Sequence, residues 1–582
     1  MQVDRFVDFL MELEATSSRN RMVEVLAELF REAEVEEIDK IIYLCQGRVA
    51  PLFERLEFGV GESLAAEAVA RASGKTKAEV QRLYKEKGDF GEVAGAVLPP
   101  QTTKLKVSDL FDQLYRLATA SGGGAVAAKV NLLADLLSRA SPRDGRLMMR
   151  IPLGKLRVGI GDPTIMDGLS YARKGDKSLR PVLERAYNIC SDLGYVARLY
   201  WEKGTESLVE IDVQVGKPVR PALAERLPGI QPILDKIGRC AIEPKYDGFR
   251  CQVHRDGGWV KVFSRNLEDF SDMFPEIIEA TLRQVRAGRI IFEGEAMAYD
   301  PGTGDFYPFQ ITVQRKRKYG IEDMRARLPL KLMAFDLLYL DGEDLTSQPY
   351  LERQRHLREA LSGDEVIEVT DVIVTDDPAE FEKFFADKVQ RGLEGVVCKR
   401  LDAPYQAGSR NFNWIKLKRH YAGQLRDTVD TVVLGYWRGR GARAQWGIGS
   451  LLTGVYDEAE DKFVTLARLG TGFSDEEWGR LKDELDKIAV DHKPPQVESL
   501  VQPDAWVRPH YVLEIRADEI TRSPIHTCGL GRAAAGEKDI GYALRFPRAI
   551  SFLRSDKGPQ DATTVAEVIE MFSMQGKQLV PE

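Results

Sequence analysis

Residues 243–250 read Glu243-Pro244-Lys245-Tyr246-Asp247-Gly248-Phe249-Arg250, a lysine, an acid and a glycine in the spacing Lys-x-Asp-Gly. Four residues recur by chance, and an exposed lysine is the plainest reading of such a motif taken alone. Its company downstream gives it weight. Trp414-Ile415-Lys416-Leu417-Lys418 alternates, so in a strand Trp414, Lys416 and Lys418 share one face while Ile415 and Leu417 share the other. A solvated face would also alternate, but residues 399–419 hold six basic side chains (Lys399, Arg400, Arg410, Lys416, Lys418, Arg419) against one acid, Asp402. Such an excess suits a triphosphate or a nucleic-acid backbone. Two carboxylates sit in or beside apolar runs: Glu295 in IIFEGEAMAYD, with Glu293 on the same face, and Glu394 in GLEGVVCKR. Acids so placed are costly unless paired or bound to metal, and hard oxygen ligands beside phosphates suit magnesium. Salt bridges to the nearby lysines are the competing reading.

Working outward, RCQVHRDGGWVKVFSRN alternates around Asp256-Gly257-Gly258, a hairpin signal, and KLMAFDLLYL and GVVCKR are further short apolar runs. Helical stretches at 349–361 and 378–391 separate them, so residues 217 to about 419 read as an α+β domain. Ahead of it, 215–230 carries Pro218, Pro221 and Pro228 and reads as a linker. Residues 1 to about 205 read as helix, with Phe6, Phe9, Leu10, Leu13 and then Met22, Val25, Leu26, Leu29, Phe30 at three- and four-residue spacing. Ser18 closes a Thr-Ser-Ser cap before the second helix, and Pro99-Pro100 and Gly122-Gly123-Gly124 mark breaks. From Asp427, DTVDTVVLGYW, GSLLTGVYD, DKFVTLARLG and YVLEIRADEI are spaced strands with glycine turns, the pattern of a small β-barrel with a terminal helix.

Composition bounds these readings. At ~150 residues per domain, 582 residues give about three or four domains. The net charge of −8 argues against a uniformly basic nucleic-acid coat but leaves room for a basic cleft. Six scattered cysteines contain no Cys-x-x-Cys pair, so neither a disulfide framework nor a zinc finger is expected, and the thiols read as reduced. No run approaches the ~18 apolar residues of a membrane helix, so a soluble intracellular protein is expected. Gly74-Lys75-Thr76 lacks the first glycine of a P-loop, where Val69 stands, and reads as a helix-connecting turn. Gly159-Ile160-Gly161 lacks the third glycine of a dinucleotide fingerprint, where Thr164 stands. The six histidines form no His-Glu-x-x-His pair.

In order, the chain presents EPKYDGFR, FSRN (263–266), IFEGEAMAYD, PFQITVQRKR, LMAFDLLYLDG, LEGVVCKR, GSRNFNWIKLK and ALRFPRAISFLRSDK. This series resembles the nucleotidyltransferase motifs of ATP-dependent DNA ligases of the archaeal and eukaryotic replicative type. TSSRNRMVEVLAELF, EIDKIIYLCQGRVAP and LGKLRVGIGD resemble the helical DNA-binding domain of the same family. The resemblance implies a multidomain chain: an all-α DNA-binding domain (1–210), an α+β nucleotidyltransferase or adenylation domain (211–420) and a C-terminal OB-fold β-barrel (421–582). It implies nick sealing in replication, repair and recombination, through a lysine–AMP adduct, transfer of AMP to the 5′-phosphate and attack by the 3′-hydroxyl.

By the same resemblance, Lys245 is the nucleophile on the α-phosphorus of ATP. A lysine's ordinary pKa is about 10.4, and Lys416 and Lys418 with magnesium would disfavour a second charge there and stabilise the transition state. Glu243 would help hold the base and Phe335 stack on it, a core phenylalanine being the competing reading of Phe335. Glu295 would contact ribose or metal, and Glu394 the metal, Mg2+ or Mn2+. Arg250, Arg265 and Arg410 would engage ribose or phosphate, Arg265 also the 5′-phosphate of the nick. Arg545 and Lys557 belong to a barrel segment that in the family swings over the nucleotide, with a hinge near 420–427. Arg150, Lys155, Arg157, Gly159 and Gly161 would contact the DNA backbone, and Gly122-Gly123-Gly124-Ala125 departs from the family's Gly–Ser pattern. A monomer acting on nicked double-stranded DNA in a prokaryotic cytoplasm or nucleoid is expected. A sliding clamp is a candidate partner by resemblance, although QTTKLKVSDLF at 101–111 lacks the spacing of a clamp-binding peptide. The alternatives are an NAD-dependent ligase, which the cysteine spacing disfavours; an RNA ligase or capping guanylyltransferase, which the long helical region disfavours; and a non-catalytic DNA-binding scaffold, which would not need these lysines and glutamates together.

Overall fold

The computed structural model describes residues 1–302, 304–307, 309–317, 319–362, 365–391, 393–418, 428–439, 446–517, 519–531 and 540–574, the side chains of 310 and 574 excepted. The chain divides into two units, Met1–Asp212 and Val213–Glu582. The expected hinge segment 420–427 lies outside the described residues.

The first unit is helical, as its apolar periodicity requires. Phe6, Leu10 and Leu13 of the helix Val3–Ala15, and Val25, Leu26, Leu29 and Phe30 of Arg19–Glu32, are buried. Ser18 caps the second helix by accepting the Arg21 backbone N–H at 3.4 Å. Gly74, left-handed at φ +71°, ends the helix Glu62–Ser73, and Thr76 opens Lys77–Lys87 in a capping box with Glu79, so Gly74-Lys75-Thr76 is a turn between helices. The 101–111 stretch is folded into the unit: Gln101 Nε2 donates to the carbonyls of Ser138 (2.7 Å) and Ala140 (2.8 Å), and Thr103 and Leu105 are buried.

In the second unit the first strands are β1 (Leu223–Arg226), β2 (Cys240–Lys245), β3 (Phe249–Asp256), β4 (Trp259–Ser264), β5 (Arg289–Ala298), β6 (Leu330–Leu340), β7 (Glu343–Asp344), β8 (Ile367–Val369), β9 (Ile373–Thr375), β10 (Gly395–Arg400) and β11 (Arg410–Lys418). They form two sheets. One runs β1-β11-β10-β2-β9, the other β4-β3-β5-β6-β7 with β8 beside β6. The β3–β4 hairpin turns at Gly257, φ +56°.

The first sheet is two-faced. On one side Ile242, Val396, Cys398, Ile415 and Leu417 pack with Phe381 of the helix Pro378–Gln390 and Ile233 and Leu234 of the helix Ile230–Ile237. Strand alternation then turns Glu243, Lys245, Val397, Lys399, Trp414, Lys416 and Lys418 to the other side. The second sheet packs Val253, Phe292, Leu332 and Leu337 against Phe274 and Ile277.

Beyond the undescribed segment, β12 (Thr428–Trp437), β13 (Ser450–Asp457) and β14 (Lys462–Leu469) are antiparallel neighbours, and Val512–Arg516 pairs with β12 on its other side. The helix Asp475–Asp486 and the terminal helix Val565–Met574 pack Trp478, Leu481, Val565 and Val568 against this sheet. All six cysteines are free and buried, and no described helix is long and apolar enough to cross a membrane.

Arg315 is 1% exposed and lies 2.6 Å from Glu276, also donating to the carbonyl of Leu328 at 2.6 Å. Removing one member of a buried pair strands the other charge. Arg315→Met is expected to cost about 3–5 kcal/mol in urea unfolding, with Glu276→Gln in the same chain recovering part of the loss; a cost below about 1 kcal/mol would contradict this account of the pair.

Candidate active site

The strand register assembles the site. On β10, Gly395 lies opposite Lys245 of β2 on one side and Lys418 of β11 on the other; Val397 likewise lies between Glu243 and Lys416, and Lys399 between Ala241 and Trp414. Glu394, immediately before Gly395, donates its backbone N–H to the Lys245 carbonyl at 3.1 Å. Its carboxylate is therefore delivered between two lysines: one oxygen accepts from Lys245 Nζ, and the other lies 2.7 Å from Lys418 Nζ. A side chain at 395 would put its Cβ 2.0 Å from the Leu417 carbonyl oxygen, so close strand approach requires glycine. Gly248 has the same reason: a Cβ there would lie 2.3 Å from the Ala296 carbonyl oxygen, and the loop after Lys245 could not pass β5.

Glu243, Lys245, Gly248, Glu394, Val397, Lys399, Trp414, Lys416 and Lys418 line one cleft together with Leu223, Asp247, Arg250, Arg265, Glu295, Phe335, Arg410, Arg554, Lys557 and Asp561. At its apolar end the rings of Phe335 and Trp414 meet edge to face, centroids 6.1 Å apart, with Arg250 and Lys399 over them. Phe335 is half-buried and faces the cleft rather than the core. Arg250 is anchored 2.7 Å from Glu293 and donates to the Ala222 carbonyl at 2.7 Å.

At the other end, residues far along the chain meet the basic strand. Arg410 lies 2.7 Å and Lys416 3.6 Å from Glu567 of the terminal helix. Arg265 lies 2.9 Å from Asp561, Lys557 pairs with Asp430, and Arg554 lies 2.6 Å from Asp556. Glu567 also closes a capping box with Thr564, accepting its backbone N–H at 2.8 Å.

The electrostatics follow from dryness and crowding. Burial opposes the charge of Glu394, yet Lys245, Lys418 and Lys557 hold it well below the usual carboxylate range. Burial likewise opposes Glu567, and Arg410 and Lys416 outweigh it, bringing it to about 2. Lys416 is pushed down to about 7 by burial and by Arg410, Lys418 and Lys557, which Glu567 only partly offsets. Glu295, which accepts the Gly248 backbone N–H at 3.2 Å, is raised to about 7 by burial. Asp247 is raised by burial and by Glu394.

Among the described residues no group of three or more acids, histidines or cysteines is arranged to hold a metal. Glu295 and Asp247 nevertheless supply hard oxygens in a dry place, which a divalent cation completed by phosphate oxygens fits. Glu394 has both oxygens on lysines, and a cation there competes with them.

Most of the residues expected from sequence are brought together: Glu243, Lys245, Arg250, Arg265, Glu295, Phe335, Glu394, Arg410, Lys416, Lys418 and Lys557 all line the cleft. Arg545 does not; it stands exposed on the strand Gly541–Arg545, paired with Glu519. In the helical unit, Arg150 is 3% exposed and bound to Glu14 (2.8 Å), Asp89 (2.9 Å) and Glu92 (3.1 Å), so its role is internal rather than toward phosphate. Arg157, at φ +58°, lies 3.1 Å from Asp89. Lys155 is half-buried, Gly159 has φ +71°, and Gly161 caps the helix Asp162–Lys174, leaving that helix N-terminus beside them. Sequence reasoning does not find Glu567, Asp561 or Asp430. The Thr-x-x-Glu capping box at 564–567 is a visible signal, but nothing local says that its glutamate meets Arg410.

A partly exposed lysine in a cation-rich cleft with an aromatic end is an arrangement suited to an anionic ligand that carries a planar ring. Three family models match in chain order: "DNA ligase N terminus" over residues 2–170, "ATP dependent DNA ligase domain" over 221–418 and "ATP dependent DNA ligase C terminal region" over 444–557. The chain is 54% identical over its whole length to "Probable DNA ligase" of Dictyoglomus turgidum, covering 99% of that protein. It is 42% identical, with both chains fully covered, to "DNA ligase" of Pyrobaculum islandicum. Among solved structures it is similar to "mycobacterial DNA ligase D complexed with ATP and MES", with 27% identity, a TM-score of 0.33, and coverage of 59% of this chain and 97% of that one. The chain belongs to the ATP-dependent DNA ligase family.

Glu567 occupies two cations that an anionic ligand would need. Glu567→Gln is expected to tighten pyrophosphate binding at the cleft by about tenfold, a gain of ~1.4 kcal/mol, measured by calorimetry; unchanged affinity would show that the pair does not oppose ligand entry.

Proposed function

We propose that Lys245 attacks the α-phosphorus of ATP, expelling pyrophosphate and leaving a lysine–AMP phosphoramidate; AMP then passes to the 5′-phosphate of a nick, and the 3′-hydroxyl displaces it to seal the strand. The observation that carries this reading is the convergence of Lys245, Lys416 and Lys418 on one cleft face, two of them held by Glu394 and the third beside Glu567. Attack needs a neutral amine. Lys245 has to leave Glu394 and give up its proton to solvent for this, while Lys416 and Lys418 stabilise charge on the α-phosphate.

Phe335 stacks on adenine and Glu243 holds its edge. Arg250, Arg265 and Arg410 contact ribose or phosphate, and Lys557 and Arg554 orient the leaving pyrophosphate. Glu295, with Asp247 beside it and Glu394 once it leaves its lysines, would hold Mg2+ or Mn2+, which would neutralise phosphate charge. Positioning and charge neutralisation do the work, without a dedicated general base.

The three-domain division, 1–210, 211–420 and 421–582, belongs to this reading, with the last an OB-fold. Its support is the antiparallel order of β12, β13 and β14 with Val512–Arg516. After adenylation the pairs Arg265–Asp561 and Arg410–Glu567 part so that DNA can enter. Lys155, Arg157, Gly159 and Gly161 take the DNA backbone. We place the protein, as a monomer, in the cytoplasm or nucleoid of a prokaryote; its relatives in Dictyoglomus turgidum and Pyrobaculum islandicum support the prokaryotic source. A sliding clamp finds no free peptide at 101–111, since Gln101 and Leu105 are used internally.

Lys245→Ala is expected to abolish sealing of a nicked duplex with ATP yet to retain measurable sealing of a nick whose 5′-phosphate already carries AMP; loss of both equally would contradict the division of steps. Lys416 carries a pH signature. Below about 7 it is already charged in the free protein. Above that it has to take up a proton when phosphate binds, so ATP affinity should fall by up to ~tenfold per pH unit between about 7.5 and 9. Lys416→Arg should flatten that fall, and a slope unchanged by the substitution would remove Lys416 from phosphate binding.

A further inference from the structure

Behind the base end of the cleft, three side chains converge on the same two groups. Tyr350 and Gln354 stand four residues apart on one face of the helix Tyr350–Ala360, and Lys399 comes from β10. The Tyr350 hydroxyl donates to Glu243 Oε1, Gln354 Nε2 donates to the same oxygen at 3.3 Å, and Lys399 Nζ lies 2.8 Å from Oε2. The second group is the backbone carbonyl of Phe335, which accepts from Gln354 Nε2 at 2.6 Å and Lys399 Nζ at 3.1 Å. Asp336, held 2.7 Å from Arg353, stands 3.7 Å from Lys399 on its remaining side. Tyr350, Gln354, Lys399 and Glu243 are all buried.

A carboxylate offers about four lone-pair sites. Donors from Tyr350, Gln354 and Lys399 occupy three of them, and the ammonium of Lys399 is held between Glu243 and the Phe335 carbonyl, with Asp336 3.7 Å away and the Trp414 ring beneath it. Where Glu243 lines the cleft it can therefore accept one more hydrogen bond and donate none. An N–H on the base edge satisfies that vacancy. A carbonyl oxygen in the same place sets acceptor against acceptor in a dry pocket and leaves both unpaired.

We propose that Tyr350, Gln354 and Lys399 are positioning residues that set the base selectivity of the cleft. By saturating Glu243 and fixing the Phe335 backbone, they present the base with a single acceptor beside an aromatic face. A purine nucleotide with an amine at position 6 is admitted and one with a carbonyl there is refused. The inference rests on the reading of Glu243 and Phe335 as the base contacts. Removing a donor frees the carboxyl to turn or to carry a proton, and a carboxyl that can donate accepts a 6-oxo purine.

The test is the rate of nucleotidyl-adduct formation with ATP, GTP and purine riboside triphosphate, which bears no group at position 6, in wild type, Tyr350→Phe and Glu243→Gln. For Tyr350→Phe the expected result is a KM for ATP raised about tenfold at nearly unchanged kcat, an ATP-to-GTP preference narrowed about tenfold, and a KM for purine riboside triphosphate that stays within about twofold. Equal losses for all three nucleotides, with the preference intact, would overturn the proposal and leave Tyr350 a structural residue. Glu243→Gln, whose amide both accepts and donates, separates the two failures. A preference that survives Glu243→Gln removes Glu243 as the base contact. A preference that collapses there but not in Tyr350→Phe overturns only the positioning role. Gln354→Met, close in volume, carries the same test with an expected narrowing of about threefold should Tyr350→Phe not fold.

Discussion

Glu394 holds the Nζ atoms of Lys245 and Lys418 on its two oxygens, and much of the cleft depends on that arrangement. A site that handles polyphosphate has to gather cations out of water, and gathered cations repel one another until an anion arrives. This chain supplies its own anions meanwhile. Glu394 serves Lys245 and Lys418, Glu567 serves Arg410 and Lys416, Asp561 serves Arg265 and Asp430 serves Lys557. On the proposed reading of the cleft, each is a carboxylate standing where a phosphate would bind, and each yields its cation as the nucleotide enters.

The backbone makes this arrangement cheap to specify. Gly395 lets three strands approach so closely that one carboxylate reaches two lysines, and strand alternation turns the same residues' neighbours into an apolar floor against the helices Ile230–Ile237 and Pro378–Gln390. Chemistry and stability thus share one sheet, a face each. The paired acids Asp561, Glu567 and Asp430 belong to the C-terminal part of the chain, so closure there and occupancy of the cleft draw on the same charges.

Local patterns in the sequence carry much of this. The alternation of 414–418 marks the cationic face, the Asp256-Gly257-Gly258 turn marks the hairpin, and the motif order marks the family. What stays hidden lies in tertiary pairing. A lone glutamate at the start of the terminal helix has the look of any helix cap, and only the fold brings Glu567 to Arg410. Tyr350 and Gln354 sit on an otherwise ordinary amphipathic helix, and their meaning emerges from Glu243 beneath them. The opposite error is to read every basic residue in a familiar motif as facing a ligand. Arg150 is buried among three acids, and Arg545 stands outside the cleft on an exposed strand.

Lys245, and no other lysine of the cleft, carries the nucleotide in this mechanism. Incubating the full-length protein with ATP labelled at the α-phosphate and magnesium, then mapping the label by peptide mass spectrometry, tests that assignment most directly. One adenylated site is expected, Lys245. Label on Lys416 or Lys418, or a labelled peptide that persists unchanged in Lys245→Ala, would contradict it.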